Sequence, residues 1–501
     1  MKERLKVLDY KYNIITIFFL FVLAVSLLAP LSGNDWMSFV NGKEGLLENI
    51  KNLTYTNGGL LSDTLAGLFT NSKGIFALFF AIFFTITLYN IYPLLGKVEN
   101  KNNYLLIPLL LLLVGVETFS YNYISVTGCV CYTFPALAII NYFLYLYRIG
   151  NEKLTIFNYI KLFIAILFVS LTTVHLSIAF LLGNFIFYAY KMLDNKKKFE
   201  YYIILVFIHI FITIGTLFVI DKSMLYPSFD LFFDNIPSFI DATFSKNILL
   251  VIIGLIPIEF YLNEKLDGHS YKRVIIVLFA LIPFISLAYN FFNYSPVNLN
   301  LVINRYSGIF ATENWYFIFY YMIYMLLFML TIIHFIKRVK TRNYLLLFIV
   351  IGLFASIFKF ISPDYNNGTN ILFVLSFIIS TSVLYKEMDI KVNNKMCFVL
   401  VILMSIYYLV IFGMCKYIDD TRLSYIKEQK EAGLTTIEVK SNPFFLVYRY
   451  NPTEVFQKRD FKQFIEVPQD TKLEVKYFGV FKEIESRVKE WKQEIIDIYL
   501  H

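Results

Sequence analysis

Three ionisable side chains interrupt stretches of this 501-residue sequence that are otherwise apolar. Glu117 ends an apolar run that begins near residue 104, His175 divides a second long run, and Lys359 lies just before a Pro-Asp-Tyr turn. Ionisable groups at membrane depth are costly, so such positions predict function. The alternative interpretation is interfacial, because a charged group near a helix end can reach water with its head.

Two further residues suit chemistry in a more polar setting. Asp35 follows an apolar run in the sequence Gly-Asn-Asp-Trp and adds a carboxylate to the candidate groups. The alternative is a helix-terminating turn beside an interfacial tryptophan. Arg305 is the only cation of segment 291–314. Its planar guanidinium matches phosphate oxygens, although an ordinary solvated arginine would also fit there.

The amino-acid composition indicates that these residues belong to a membrane protein. Hydrophobic residues make up 58% of the chain and charged residues 16%, with a mean hydropathy of +0.61. Soluble proteins carry roughly 25% charged residues. The apolar runs are long enough to cross a ~30 Å hydrocarbon core, where only helices satisfy the backbone of a single segment. We predict thirteen membrane-spanning helices, at 13–32, 74–94, 104–119, 127–147, 159–174, 176–192, 201–220, 247–263, 273–291, 315–336, 343–361, 371–385 and 396–415.

The distribution of basic residues predicts the orientation. With a cytoplasmic N-terminus, the inner segments hold 23 Lys and Arg and the outer loops hold 6. Cytoplasmic loops are enriched in Lys and Arg, so we expect a multi-pass plasma-membrane protein with its C-terminus outside the cytoplasm. Segment 416–501 carries 15 basic and 15 acidic residues, so the net charge of +8 belongs to the membrane part. This charge reflects topology and predicts no nucleic-acid partner.

Two predicted outer segments are long enough to carry structure. The first outer loop, 33–73, contains apolar residues at helical spacing in 46–53 and 60–69, which predict two short surface helices. Segment 416–501 predicts a helix at 418–432 ended by Gly433, strands at 435–440 and 473–478, and a helix at 482–499. We therefore expect an all-α transmembrane domain, 1–415, and a small extracytoplasmic α/β or α+β domain, 416–501.

No metal-ligand spacing accompanies the cysteines, which we interpret as buried thiols. They are Cys129, Cys131, Cys397 and Cys415.

The order of several short motifs resembles the GT-C superfamily of membrane glycosyltransferases, and more narrowly a mostly uncharacterised bacterial group of GT-C-like multi-pass proteins. The motifs are an acidic-Trp pair (Asp35, Trp36), an Asn-Gly pair (Asn57, Gly58), a Gly-x-x-x-Tyr-x-x-Pro pattern (Gly128, Tyr132, Pro135) and a Pro-x-Asn turn before an arginine (Pro296, Asn298, Arg305). The chain departs from this pattern at Asn34, where a second acid is common, and at Gly59 and Val297, where arginine and glycine are expected.

The resemblance implies an inverting transfer of a sugar from a polyprenyl-phosphate donor to a cell-surface or cell-wall glycopolymer at the outer face of the membrane. In that mechanism Asp35 is the general base, Glu117 assists it, and Arg305 and Lys359 hold the leaving phosphate. We predict substrate-binding positions at the motif residues Trp36, Asn57, Tyr132, Asn298 and Arg305, and at the ionisable residues His175 and Lys359. A monophosphate donor demands no metal, and the question of a divalent metal stays open. With Asp35 at the surface, Asp35→Asn would leave folding intact and abolish the glycan.

Three other functions fit the sequence less closely. A transporter or flippase predicts discontinuous helices and midplane polar residues, whereas these ionisable groups gather at the predicted outer ends. A lipid-linked glycan polymerase or ligase predicts paired outer arginines, and Arg305 stands alone in its loop. A non-enzymatic scaffold is compatible with the sequence as well.

The predicted topology can be tested by labelling. A single cysteine introduced at Ser441 should react with a membrane-impermeant maleimide in intact cells, because the charge asymmetry locates the tail outside. Labelling that occurs only after lysis would reverse the orientation and would remove the outer-face chemistry with it.

Overall fold

The computed structural model describes residues 2–43, 59–95, 104–115, 118–150, 155–194, 200–219, 240, 243–244, 247–293, 315–360, 370–390, 393–441 and 455–477, and they are almost entirely helical. The helices are α1 Lys2–Leu28, α2 Asn34–Lys43, α3 Leu60–Asn71, α4 Lys73–Ile91, α5 Leu106–Leu112, α6 Val126–Ile149, α7 Ile156–Thr172, α8 Val174–Asp194, α9 Glu200–Val219, α10 Ile248–Lys265, α11 Lys272–Asn293, α12 Trp315–Phe335, α13 Val339–Phe360, α14 Ile371–Glu387, α15 Asn394–Glu431 and α16 Val455–Phe464. Two strands follow α15 and α16, respectively: β1 Thr436–Ser441 and β2 Lys472–Tyr477.

Many of the helices are apolar enough for a bilayer. Within the described part of the chain, five are also long enough to cross one: Lys73–Leu95, Val126–Ile149, Val174–Lys191, Val339–Ser356 and Lys395–Glu431. Four shorter apolar helices accompany them: Tyr12–Leu28, Ile156–Thr172, Ile203–Thr216 and Phe319–Phe335. The prediction of a helical membrane protein is confirmed. A helix coincides with each predicted span, whereas the number of crossings and the orientation stay predictions.

The third predicted span, 104–119, is not one continuous helix. Helix α5 has only seven residues, and Val114 and Gly115 follow it outside any helix. Side chains from other helices supply partners for the freed backbone groups: the Tyr408 hydroxyl donates to the Val114 carbonyl at 2.5 Å, and the Gly115 amide donates to Asn247 Oδ1 at 3.2 Å. Non-helical backbone at membrane depth is tolerated where protein groups satisfy it in this way.

The long apolar stretch around His175 divides as predicted. Helix α7 ends at Thr172 and α8 begins at Val174, so the break lies two residues before His175. The intervening Thr173 is extended, with φ −154° and ψ 117°, and its hydroxyl donates to the Cys131 carbonyl on α6. This hydrogen bond holds Thr173, at the break between α7 and α8, against α6.

Helix α15 joins two elements that the sequence separates. Its 38 residues combine the last predicted span with the predicted charged helix of the tail, without a break near 416. No proline falls in this stretch, and its one glycine, Gly413, has open space around it. At about 1.5 Å per residue the helix is about 57 Å long, so it exceeds a ~30 Å hydrocarbon core. As predicted, it ends before Gly433, whose φ is +68°.

The described part of the tail is a small β–α–β unit. Strands β1 and β2 pair in parallel, from Thr436 opposite Lys472 to Ser441 opposite Tyr477. Both strands match the predictions to within a residue. A parallel pair needs a crossover connection, and α16, which the sequence analysis missed, lies in it. The predicted helix at 482–499 falls outside the described residues.

Two helices of the first loop pack tightly together. Helix α3 matches the prediction at 60–69, α2 was not predicted, and the predicted helix at 46–53 lies outside the described residues. A Cβ on Gly42 would lie 2.5 Å from the Gly67 carbonyl oxygen, so only glycine permits this backbone approach. Helix α3 also contacts α7 and the start of α6. It is therefore packed against the helix bundle along part of its length.

Candidate functional site

Asp35 lies in the first turn of α2 and its side chain is fully buried. Its Oδ1 accepts hydrogen bonds from the Thr127 amide at 2.8 Å and the Ser125 hydroxyl at 3.1 Å. Its Oδ2 accepts one from the Ser32 amide at 3.3 Å. A carboxylate offers about four lone-pair sites, and three are used here. The predicted base is therefore held by the protein on three sides.

The start of α6 explains why a carboxylate is buried there. Ser125 is the N-cap of α6 and accepts from the Gly128 amide at 3.3 Å. The first amides of a helix lack intrahelical partners and carry partial positive charge. Asp35, 92 positions before Thr127 in the sequence, supplies a second acceptor for this first turn, which accepts a hydrogen bond from the Thr127 amide. A buried charge is costly unless it is hydrogen-bonded, and these contacts offset that cost while joining α2 to α6.

Asp63 is a second carboxylate close to the same turns of α6. It lies half-buried in the first turn of α3, and both Asp63 and Asp35 are close enough to the Cys131 thiol to interact with it electrostatically. The start of α3 is pressed against α7, because a Cβ on Gly59 would lie 2.0 Å from the Thr172 carbonyl oxygen. Asp63 was not among the site residues predicted from the sequence. The signal that could have identified it is the acidic side chain in the first turn of a predicted amphipathic helix.

Tyr132 and His175, two predicted substrate-binding residues, belong to the surroundings of this site. Tyr132 is buried in a π-helical stretch of α6, Cys129–Thr133, which follows directly on the turn that binds Asp35. His175 is half-buried in the first turn of α8, two residues after the Thr173 that bonds to α6. Single-turn π-helical segments occur frequently at functional sites. The structure thus brings Asp35, Tyr132 and the break before His175 together around the start of α6.

Trp36 turns away from this cluster and packs into the tail. It is 1% exposed, and its ring centroid lies 4.8 Å from that of Phe461 and 6.4 Å from that of Phe464, both on α16. These rings share one apolar cluster with Ile437 and Val439 of β1. The predicted substrate-binding role stays a prediction, while the contacts give Trp36 a packing role. Neighbouring residues of α2 therefore face two structures: Asp35 contacts the bundle and Trp36 contacts the tail.

A group of charged residues surrounds this junction. Lys73, at the start of α4, interacts electrostatically with Lys416, Asp419, Asp35 and Asp420. Lys416 also pairs with Asp420 at 2.5 Å.

Arg422 of α15 is fully buried, forms an ion pair with Asp419, and lies 5.5 Å from the Phe461 ring centroid. Arginine suits such sites because its flat guanidinium combines an ion pair with stacking on a ring. Neither Arg422 nor Lys73 was among the site residues predicted from the sequence.

Most of the remaining predicted site residues lie outside the residues that the structure describes. Glu117, Asn57, Asn298 and Arg305 lie outside the described residues, and Lys359 lies in α13. Among the residues that the structure describes, no group of three or more His, Cys, Asp or Glu side chains could hold a metal ion. All four cysteines are buried free thiols, as predicted.

No family model, curated protein or solved structure matches the chain.

Asp35→Asn should lower the stability of the protein. The Asn side chain keeps one acceptor oxygen, but its NH₂ group replaces the other and must face an N–H or O–H donor. That donor then has no acceptor, and an unsatisfied buried group costs ~1–3 kcal/mol. We expect a lower unfolding midpoint for the purified variant, in contrast to the unchanged folding that an exposed Asp35 would allow.

Asp267→Asn is the matched control, since Asp267 is exposed and pairs with Lys272 at 2.9 Å. An exposed substitution changes stability by under ~0.5 kcal/mol. Equal midpoints for the two variants would contradict the role of Asp35 as a buried acceptor for α6.

Proposed function

We propose that the protein is a GT-C-type membrane glycosyltransferase, which transfers a sugar from a polyprenyl-phosphate donor to a surface glycan. The observation that supports this most is the gathering of two carboxylates, Asp35 and Asp63, around the first turns of α6. Glycosyl transfer with inversion needs one carboxylate to take a proton from the acceptor hydroxyl. The surroundings of the two carboxylates differ, which suggests different roles.

Asp63 is the better candidate for the base. A base must come within hydrogen-bond distance of the proton that it removes. Asp35 is fully buried and binds three donors, so a substrate could approach it only by displacing them. Asp63 is half-buried and is therefore in part accessible. In this proposal Asp63 accepts the proton, and Asp35 holds α2 and α6 in the geometry that surrounds it.

The leaving phosphate requires a cation. Lys73 starts α4 and is close enough to Asp35 for electrostatic interaction, so it can attract an anion to this end of the bundle. In this proposal Arg305 and Lys359 also bind the leaving phosphate, as the resemblance implies. A lipid-linked donor is expected where helices meet the membrane surface, and α2, α3, α4, α6 and α8 all begin close to this site. The outer-face location follows from the predicted topology.

One observation favours a second function, a transporter or flippase. Helix α5 is interrupted within the bundle, where Tyr408 and Asn247 satisfy the backbone of Val114 and Gly115. Discontinuous helices line the binding sites of many transporters. The carboxylates support the enzyme, and the break after α5 supports the transporter. Substitutions at the two places can therefore distinguish the two functions.

Asp63→Asn should abolish the surface glycan that distinguishes the parent strain from a deletion strain. Removal of a general base typically lowers the rate 10²–10⁴-fold, and Asn preserves the size of the side chain. The readout is glycan composition and mass in the deletion strain complemented with wild type or variant, at equal membrane abundance.

Asp267→Asn serves as the control and should restore the glycan fully. Wild-type glycan from Asp63→Asn would remove Asp63 from catalysis. Tyr408→Phe deletes only the hydroxyl that closes the break after α5. Loss of function in Tyr408→Phe with normal function in Asp63→Asn would favour the transporter.

A further inference from the structure

The opposite end of the bundle carries a cluster of cations at helix ends. There α4, its short 3₁₀ extension Tyr92–Leu95, α6 and α14 end, and α13 begins. We name this group the basic end and define it by five residues: Arg148, Lys191, Arg338, Lys340 and Lys386. It is independent of the carboxylate site, since α6 runs from one to the other.

Three of these cations bond to the last carbonyls of neighbouring elements. Arg338 Nη2 donates to the Leu94 carbonyl at 2.6 Å, Lys340 donates to the Tyr147 carbonyl, and Lys191 donates to the Gly150 carbonyl at 3.5 Å. Carbonyls at helix ends lack intrahelical partners and carry partial negative charge, which favours cations. These bonds fix the positions of the cations, so the cluster is built into the fold.

The basic end keeps an excess of positive charge. Glu387 is its acidic partner among the described residues, 3.5 Å from Arg338 and 4.0 Å from Lys386. Five cations against one carboxylate leave a net charge of +4. A lysine has three N–H donors and an arginine has five, and one carbonyl uses one of them. Arg338 and Lys340 therefore retain N–H groups that can donate hydrogen bonds to an external anion.

An exposed apolar stripe adjoins the cluster. Arg148 is exposed and its guanidinium lies 5.6 Å from the ring centroid of Tyr89 on α4. Tyr89, Ile86 and Ile82 are 39%, 49% and 44% exposed and recur at helical spacing, so they form one stripe on α4 that leads away from Arg148. A cationic end next to an exposed apolar stripe suits an anionic headgroup with acyl chains.

The length of α6 agrees with this interpretation. Its 24 residues span about 36 Å at ~1.5 Å per residue. This distance is close to a ~30 Å hydrocarbon core, so the carboxylate site and the basic end lie near opposite membrane surfaces. By the predicted topology the basic end is the cytoplasmic one.

We propose that the basic end binds the headgroup of an anionic phospholipid, with an acyl chain along the α4 stripe. Arg148 and Lys340 contact the headgroup phosphate, and Arg338 and Lys386 add to its electrostatic attraction. Anionic lipids interact favourably with each nearby Lys or Arg, and neutralisation of one such residue corresponds to about fivefold weaker binding.

The test measures lipid retention by the full-length protein. The protein is reconstituted into vesicles of equal parts phosphatidylglycerol and phosphatidylcholine, extracted into a neutral maltoside detergent, and analysed for retained lipid. Wild type should retain phosphatidylglycerol preferentially. In Arg148→Gln the preference should fall about fivefold, whereas the control Arg273→Gln should match wild type, because Arg273 is an exposed cation on α11.

Three outcomes would overturn the proposal. Equal retention of the two lipids by wild type would show that the basic end has no preference for an anionic headgroup. An equal fall in preference for Arg148→Gln and Arg273→Gln would mean that net charge alone is responsible. Displacement of the retained lipid by millimolar inorganic phosphate would identify a site for a soluble anion. None of these outcomes depends on glycosyl transfer.

Discussion

The burial of the Asp35 carboxylate at the start of α6 is the interaction on which this end of the molecule depends. Three donors from two separate segments converge on one side chain: Ser32, Ser125 and Thr127. Because a buried carboxylate without partners would be strongly unfavourable, α2 and α6 cannot separate without cost. The next residue, Trp36, packs on Phe461 of the tail. Helix α2 therefore joins the bundle to the β–α–β unit, and α15 joins them again by continuity of the backbone.

This arrangement gives the two ends of the bundle different chemistry. At one end carboxylates meet the beginnings of helices, and at the other end cations meet the ends of helices. Both patterns follow from the same partial charges at helix termini. The cations that reveal the predicted orientation in the sequence are also part of the packing, since Arg338 and Lys340 link α13 to the ends of α4 and α6. A substitution there therefore affects both packing and electrostatics.

The sequence predicted most of the structure that depends on neighbouring residues along the chain, although the helices α2 and α16 were not predicted. Helices occur at each predicted span, Gly433 follows the end of α15, and both tail strands lie where alternation indicated. The other missed features depend on distant partners. Asp35 was predicted to be a general base at the surface, and its burial was not foreseen because its acceptor role requires Thr127, 92 positions later. Trp36 was predicted to bind substrate, and its packing against the tail was not foreseen because Phe461 lies more than 400 positions later. The break after α5 was hidden because an apolar run does not reveal where Tyr408 and Asn247 can satisfy its backbone.

The most direct test of α2 as the link is a double-mutant cycle between Asp35→Asn and Phe461→Leu. The first change weakens the contact of α2 with α6, and the second removes the ring that packs on Trp36. The measurement is the free energy of unfolding of wild type, both single variants and the double variant. Residues coupled through shared structure deviate from additivity by ~0.5–3 kcal/mol, whereas independent sites add within ~0.3–0.5 kcal/mol. We expect a deviation above ~0.5 kcal/mol. Additive effects would contradict the account, because the bundle and the tail would then be stabilised independently.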